Sequence, residues 1–192
     1  MLTAAILPVK RFAEAKRRLG QSVEDPLRLA LAAAMVGDVL RALSETEAID
    51  RTIVVTGEPS IRTTALELGA SVIDDTAESG QSAAVALGVH RALADGVERV
   101  LCVPGDCPAL DPGELHRLLA AGHGAVPAGG EVVIVPDRHG SGTNGLMLTP
   151  PDVIEPSFGP DSCERHLGLA RRAGATWRLE RPPSLLLDID TG

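Results

Sequence analysis

The chain has 192 residues with a formal net charge of −8, 44% hydrophobic and 23% charged residues, only two Phe, one Trp and no Tyr. That is the profile of a soluble globular protein with enough chain for a substantial core. It argues against nucleic acid as a partner, which needs a basic face and usually aromatic stacking, and against a membrane span, because no apolar run approaches the roughly 18–20 residues a bilayer requires.

The opening MLTAAILPVKRF has no basic stretch before its short apolar run, so Ala4–Val9 reads as a buried strand and not as a secretion signal. EDPLRLALAAAMVGDVLRAL reads as a helix with Asp25 as N-cap and Pro26 at its first position. Leu27, Leu31, Met35, Val39 and Leu43 recur at i+4 spacing and predict its apolar face. Thr52–Thr56 is a second strand, a helix from Pro59 ends at Gly69, and ASVID is a third strand. GQSAAVALGVHRALADG is a helix closed by Gly96. Arg99–Pro104 is apolar enough to be a central strand. Asp111-Pro112-Gly113-Glu114 opens a further helix with a cap and an acidic third position.

After Gly122 the alternation changes. EVVIVPD and GLMLT are two strands separated by a glycine loop with no helix between them, either as a hairpin-like insertion or with one antiparallel strand in a mixed sheet. A helix over Ser162–Ala173 follows, then the strand-like ATWRLE and SLLLDID. The pattern predicts one α/β domain over residues 1–192, a mostly parallel mixed sheet flanked by helices. Ligands are expected at the carboxyl ends of its strands. Three cysteines with no C-x-x-C pair point to a reducing cytoplasm and to thiols used in packing.

The glycine loop, GSGTNG at 140–145, matches G-x-G-x-x-G. A dinucleotide fingerprint must run from strand through turn into helix. Here LMLTPPD follows, a strand stopped by prolines, so the NAD reading fails on context. What remains is either a plain turn or a loop of bare amides with the Ser141 and Thr143 hydroxyls that takes a smaller anion.

Four other segments carry candidate chemistry. The turn after the first strand holds five of the 18 basic residues within Lys10–Arg18, including the chain's two lysines, Lys10 and Lys16. It is either a phosphate-binding loop or a solvated basic face. In VPGDCPALD, Asp106 follows the central strand, where a carboxylate either holds Mg²⁺ between phosphates or caps turn amides. In SLLLDID, Asp188 and Asp190 fall on one face of a strand and repel unless a metal or a proton relieves them; a solvated strand end is the plainer reading. In SFGPDSCERH, the turn Gly159-Pro160-Asp161-Ser162 enters a helix, as ordinary capping or as an anion site. Gly80-Gln81-Ser82 begins a helix and either caps it or contacts base or ribose. His90, His116, His123 and His166 lack metal spacing and read as surface or capping residues.

Taken in order, LPVKRFAEAKRRLG, GQSAAVALG, VPGDCPAL, SGTNGLML, FGPDSCERH and LLLDIDT resemble the guanylyltransferases of coenzyme F-420 biosynthesis, which act on 2-phospho-L-lactate or phosphoenolpyruvate. The resemblance spans nearly the whole chain, and it implies a nucleotidyltransferase (Rossmann-like) fold. GDCPAL alone would indicate only the broader nucleotidyltransferase fold; FGPDS combined with PVKRF is more specific and is similar to the phosphoenolpyruvate-using branch. The implied reaction joins GMP from GTP to a phosphorylated three-carbon acid and releases pyrophosphate. The implied roles follow residue by residue. Lys10 and Lys16 contact GTP phosphates, with Pro8, Gly80, Gln81 and Ser82 completing the nucleotide site. Asp106, Asp188 and Asp190 match the Mg²⁺ ligands. Thr143, Gly159 and Ser162 hold the acid. Rival expectations are a relative with another acceptor, such as 2-phospho-L-lactate or 3-phosphoglycerate, and a non-catalytic GTP-binding regulatory module.

Overall fold

Arg99–Cys102 is buried along its whole length and occupies the middle of the sheet, as its apolar run predicts. The computed structural model describes residues 1–12, 25–121 and 127–187; Lys16, His123, Asp188 and Asp190 lie outside them. The described strands are β1 (Thr3–Val9), β2 (Arg51–Thr56), β3 (Ser71–Asp74), β4 (Arg99–Cys102), β5 (Glu131–Pro136), β6 (Thr143–Thr149) and β7 (Thr176–Leu179). They join one sheet in the order β3-β2-β1-β4-β6-β5-β7. All neighbours are parallel except β6, which runs antiparallel to both β4 and β5. Both expectations for the glycine-loop strands are met together: β5 and β6 form a hairpin, and β6 is the reversed strand of a mixed sheet.

The described helices are α1 (Asp25–Ser44), α2 (Pro59–Glu67), α3 (Gln81–Ala94), α4 (Pro112–Ala120) and α5 (Ser162–Ala173). Strand alternation divides the core between the two faces of the sheet. Leu7 joins Leu40 and Leu43 of α1 and Leu115 and Leu119 of α4. Its neighbour Ile6 turns the other way, onto Val85 and Val89 of α3, in the cluster that also takes Leu167 of α5. Each such side chain, fully withdrawn from water, contributes roughly 1.5–3 kcal/mol. Gly88 lets α3 sit close to β1, since a Cβ there would come within 2.5 Å of Ile6 Cγ2. Among the described residues no helix is long and apolar enough to cross a membrane.

Two sequence expectations are corrected. Met35, Val39 and Leu43 are buried, but Leu27 and Leu31 are 65% and 51% exposed. Each step of four residues turns about 40° past a full helical turn, so a strict i+4 row winds off the buried face. Leu29, Ala32, Ala33 and Val36 take over the packing at that end. The strand read into SLLLDID is absent over its described part. Pro183–Leu185 is a turn of 3₁₀ helix, closed by Leu185 N–H to Pro182 O and Leu186 N–H to Pro183 O. Pro182 and Pro183 carry no N–H for a ladder, which favours this turn over sheet pairing.

Candidate active site

A cavity of ≈ 170 Å³ opens at the carboxyl ends of β1 and β4. Its walls are the β1 exit (Pro8, Val9, Lys10), the turn after β3 (Asp75, Glu78), the start of α3 (Gly80, Gln81, Ala84) and the turn after β4 (Pro104, Gly105, Asp106). Five sequence-selected residues, Pro8, Lys10, Gly80, Gln81 and Asp106, therefore meet in one place. Val9, Asp75, Glu78, Ala84, Pro104 and Gly105 were not singled out. Their common signal was position, since each adjoins a strand end or a helix start already marked for binding.

Local geometry explains the shape. Gly80 has φ 106° and enters α3 with no side-chain cap hydrogen bond, so the helix begins at the cavity wall. Asp75 Oδ1 accepts from Glu78 N–H at 3.0 Å and closes the turn after β3. Arg11 of the basic segment pairs with Glu78, Nε to Oε1, at 2.8 Å. Gly57 makes room for that pair, because a Cβ there would lie 2.7 Å from Arg11 Nε. Phe12 N–H donates to Glu58 Oε2 at 3.1 Å, which ties the β1 exit to the start of α2. Arg11 thus serves the rim of the cavity, and Lys10 is the described cation on its lining.

A second polar centre forms where the start of β6 meets the start of α5. Ser162 Oγ donates to Thr143 Oγ1 at 3.0 Å, and His166 Nδ1 lies 3.1 Å from the same oxygen. Ser157 N–H donates to His166 Nε2 at 2.9 Å. His166 is 0% exposed, Ser162 1% and Thr143 8%. Burial, with the Arg165 charge adding to it, pushes the imidazole down to about 4, so it is neutral at physiological pH. Phe158 packs edge-on against the ring at 5.2 Å. The Arg165 guanidinium gathers the loop by donating to Ser157 Oγ, Ser157 O, Phe158 O and Pro160 O. Gly159 at φ 111° and Asp161 at φ 56° turn the chain into α5.

Structure corrects the reading of His166 as a surface or capping residue. Ser162 and His166 are an i,i+4 pair on one face of α5, and that spacing was the available signal. His90 and His116 are exposed, as expected. Two amides of the glycine loop are not bare. Ser141 N–H donates to Asp137 Oδ1 at 2.9 Å and Gly140 N–H to Asp137 O at 3.0 Å, so Asp137 occupies both. Thr143 and Asn144 belong to β6.

The two centres are connected. Ser82 is not on the cavity lining; its hydroxyl accepts from Phe158 N–H at 2.9 Å. The first turn of α3 therefore braces the loop whose next amide, Ser157 N–H, holds His166. A second strut comes from Leu185. Asn144 Nδ2 donates to Leu185 O at 2.8 Å, and Cys107 Sγ lies 3.9 Å from the same oxygen. Leu185 is thereby held between the residue after Thr143 and the residue after Asp106. All three cysteines are free and buried, and burial pushes the Cys102 thiol up to about 12, which suits packing.

Comparison with known proteins bears on the fold and the family. Residues 3–191 match the family model described as guanylyl transferase CofC like. The chain is 50% identical over 191 residues to a phosphoenolpyruvate guanylyltransferase of Conexibacter woesei, covering 100% of this chain and 84% of that one. It is 36% identical to the same-named protein of Sphaerobacter thermophilus, covering 100% and 89%. Among solved structures, it superposes on a putative nucleotide-diphospho-sugar transferase from Desulfovibrio desulfuricans with a TM-score of 0.73 at 17% identity, over 94% of this chain and 80% of that chain. It superposes on a nucleotidyl transferase from Methanothermobacter with a TM-score of 0.64 at 19% identity, over 98% and 92%. Those likenesses establish the nucleotidyltransferase fold, and the full-length family match goes further: the chain belongs to the CofC-like guanylyl transferase family.

Proposed function

We propose that this chain transfers the guanylyl group of GTP to phosphoenolpyruvate and releases pyrophosphate, a step in making coenzyme F-420. Full-length identity of 50% to a phosphoenolpyruvate guanylyltransferase is the observation that carries the acceptor. The geometry supports it with a cavity at the strand ends, lined by Lys10, Asp106 and the start of α3, and a separate, buried hydroxyl pair. In the reading we favour, GTP enters the ≈ 170 Å³ cavity, with its phosphates against Lys10 and the α3 N-terminus, whose amides favour anions. Gly80 and Gln81 line that wall, while Ser82 braces the neighbouring loop. Thr143, Gly159 and Ser162 form the acid site.

The acid's phosphate oxygen attacks the α-phosphorus of GTP. A new P–O bond forms, the bond from the α-phosphorus to the bridging oxygen breaks, and pyrophosphate carries the electron pair away. A phosphate is already ionised at neutral pH, so no general base is required. The protein's task is to bring two polyanions together and to stabilise the charge that gathers on the leaving group. Lys10, and Lys16 from outside the described residues, are assigned to that charge.

Mg²⁺ fits the donor set. It favours hard oxygen ligands and in nucleotide sites is held by one or two carboxylates together with substrate phosphates. Asp106 supplies such a carboxylate on the cavity wall. Among the described residues there is no group of three or more His, Cys, Asp and Glu arranged to hold a metal. Asp188 and Asp190, outside the described residues, are the further ligands that the family resemblance implies. When bound, the ion would neutralise phosphate charge. Free thiols agree with a reducing, cytoplasmic setting.

The test is pyrophosphate release from GTP with phosphoenolpyruvate, 2-phospho-L-lactate and 3-phosphoglycerate in turn, with mass analysis of each product. Enolpyruvyl-diphospho-guanosine as the favoured product is expected. Preference for either other acid would move the acceptor assignment, and GTP binding without turnover on any acid would favour a regulatory module.

A further inference from the structure

The Thr143–Ser162 pair has a proton count that depends on His166. Two hydroxyls bring two protons. One is used between them, since Ser162 Oγ and Thr143 Oγ1 are 3.0 Å apart. The fate of the other depends on the imidazole, which is 3.1 Å from Thr143 Oγ1. A neutral imidazole carries one N–H and one lone pair. Ser157 N–H points at Nε2 from 2.9 Å, and a backbone N–H can only donate. Nε2 is therefore the acceptor, and Nδ1 carries the hydrogen.

We infer that His166 is the positioning residue of the acid site: held as the Nδ1–H tautomer by Ser157 N–H, it donates to Thr143 Oγ1 and leaves one hydroxyl proton of the Thr143–Ser162 pair to donate to the acid's charged group. In the opposite tautomer Thr143 would donate to Nδ1 and Ser162 to Thr143, with no proton left over. The tautomer thus sets whether the pair offers a donor or is consumed internally. Thr143, the more exposed of the two hydroxyl residues, is the outlet. Burial of the ring, edge packing of Phe158 and the grip of Arg165 on the 157–160 loop keep the Ser157 amide aimed. The same loop is braced by Ser82 in the first turn of α3, the helix whose start lines the nucleotide cavity. This inference rests on the assignment of Thr143 and Ser162 to the acid.

Two variants separate the two nitrogens. His166→Asn keeps a donor near the Nδ1 position, and His166→Gln keeps an acceptor near the Nε2 position. With Mg²⁺, GTP and phosphoenolpyruvate, we expect His166→Gln to raise the acid KM about tenfold and His166→Asn to stay within about threefold of wild type, the size of one hydrogen bond to a charged group. The GTP KM and kcat should hold in both variants. Equal acid KM values for the two variants, or a His166→Gln enzyme that matches wild type, would overturn the inference. Thr143→Ala separates it from the underlying assignment. An unchanged acid KM in Thr143→Ala would remove the acid site itself, and His166's role with it. A raised KM in Thr143→Ala with normal His166→Gln kinetics would remove only the role of His166. Nitrogen-15 spectra of the imidazole in the wild-type protein give a readout that survives misfolding of either variant: hydrogen on Nδ1 is expected, and hydrogen on Nε2 overturns the inference.

Discussion

The nucleotide cavity and the hydroxyl–imidazole centre sit at the same end of one sheet but are made in different ways. The cavity takes its walls from the end of β1, the turns after β3 and β4 and the start of α3. Parallel strands release their chains at the same edge, so loops that are distant in sequence meet there without further instruction. The second centre takes Thr143 from the reversed strand β6, Ser162 and His166 from α5, and a backbone amide from the loop between them. Its members meet only because α5 packs against the sheet, and its hydroxyls are oriented by a ring that is wholly buried. An open cavity lined by charges and a buried relay of neutral groups should therefore fail in different ways.

Asp106→Asn tests the difference most severely. The side chain keeps its size and loses the charge assigned to the metal ion, so turnover measured by pyrophosphate release should fall at least about 100-fold. The acid KM should change little. A variant with near-normal turnover would remove Asp106 from the chemistry, and a large shift confined to the acid KM would mean that the two centres are not separable in this way.

Acidification should act on the buried centre instead. His166 is held down at about 4, first by burial and then by Arg165. A histidine in the unfolded chain titrates near 6.5. The folded value is the lower one, so the unfolded chain takes up the proton first. The stability tied to the neutral ring is complete above about pH 6.5 and is lost as the pH falls toward 4, by up to roughly 3 kcal/mol. Urea midpoints measured across that window should fall in the wild type and fall less in His166→Asn. The same slope in both proteins would place the acid sensitivity elsewhere.

The smallest expected effect probes the strut between the two regions. Ser82→Ala removes the acceptor of Phe158 N–H, a loss of roughly 1 kcal/mol or about fivefold. Both substrates should feel it, because one hydroxyl sits in the first turn of α3 and braces the loop above His166. KM values for GTP and for the acid that rise together would support that coupling. A change in the GTP value alone would return Ser82 to the direct nucleotide contact expected from sequence.

Some of these features could be read along the chain and some could not. Asp111 was recognisable as a cap, and its Oδ1 accepts from Glu114 N–H at 2.7 Å. Glu114 did not close the reciprocal box; its carboxylate accepts from Ser184 N–H instead, a partner 70 residues away. Ser162–Ala173 was legible as a helix because its turn and its periodicity are local, and the structure returns the same bounds. His166 within it was not, because a histidine without metal spacing looks alike on the surface and in the core. Its i,i+4 spacing from Ser162 puts the two on one face of α5, and the packing of that face decides that both are buried.

By itself the sequence determined the alternation of strands and helices, the central place of the strand that begins at Arg99, the family, and the strand-end loops that wall the cavity. These rest on local signals, namely apolar period, capping residues, prolines and glycines, and on the rule that parallel strands open binding sites at one edge. Tertiary structure alone decided which polar groups are buried together. It reversed β6, put Asp137 onto the glycine-loop amides, turned Pro183–Leu185 into a 3₁₀ turn and set His166 between Ser157 and Thr143. The physical reason is that a buried polar group must find a partner, and the partner available depends on which distant segments pack beside it.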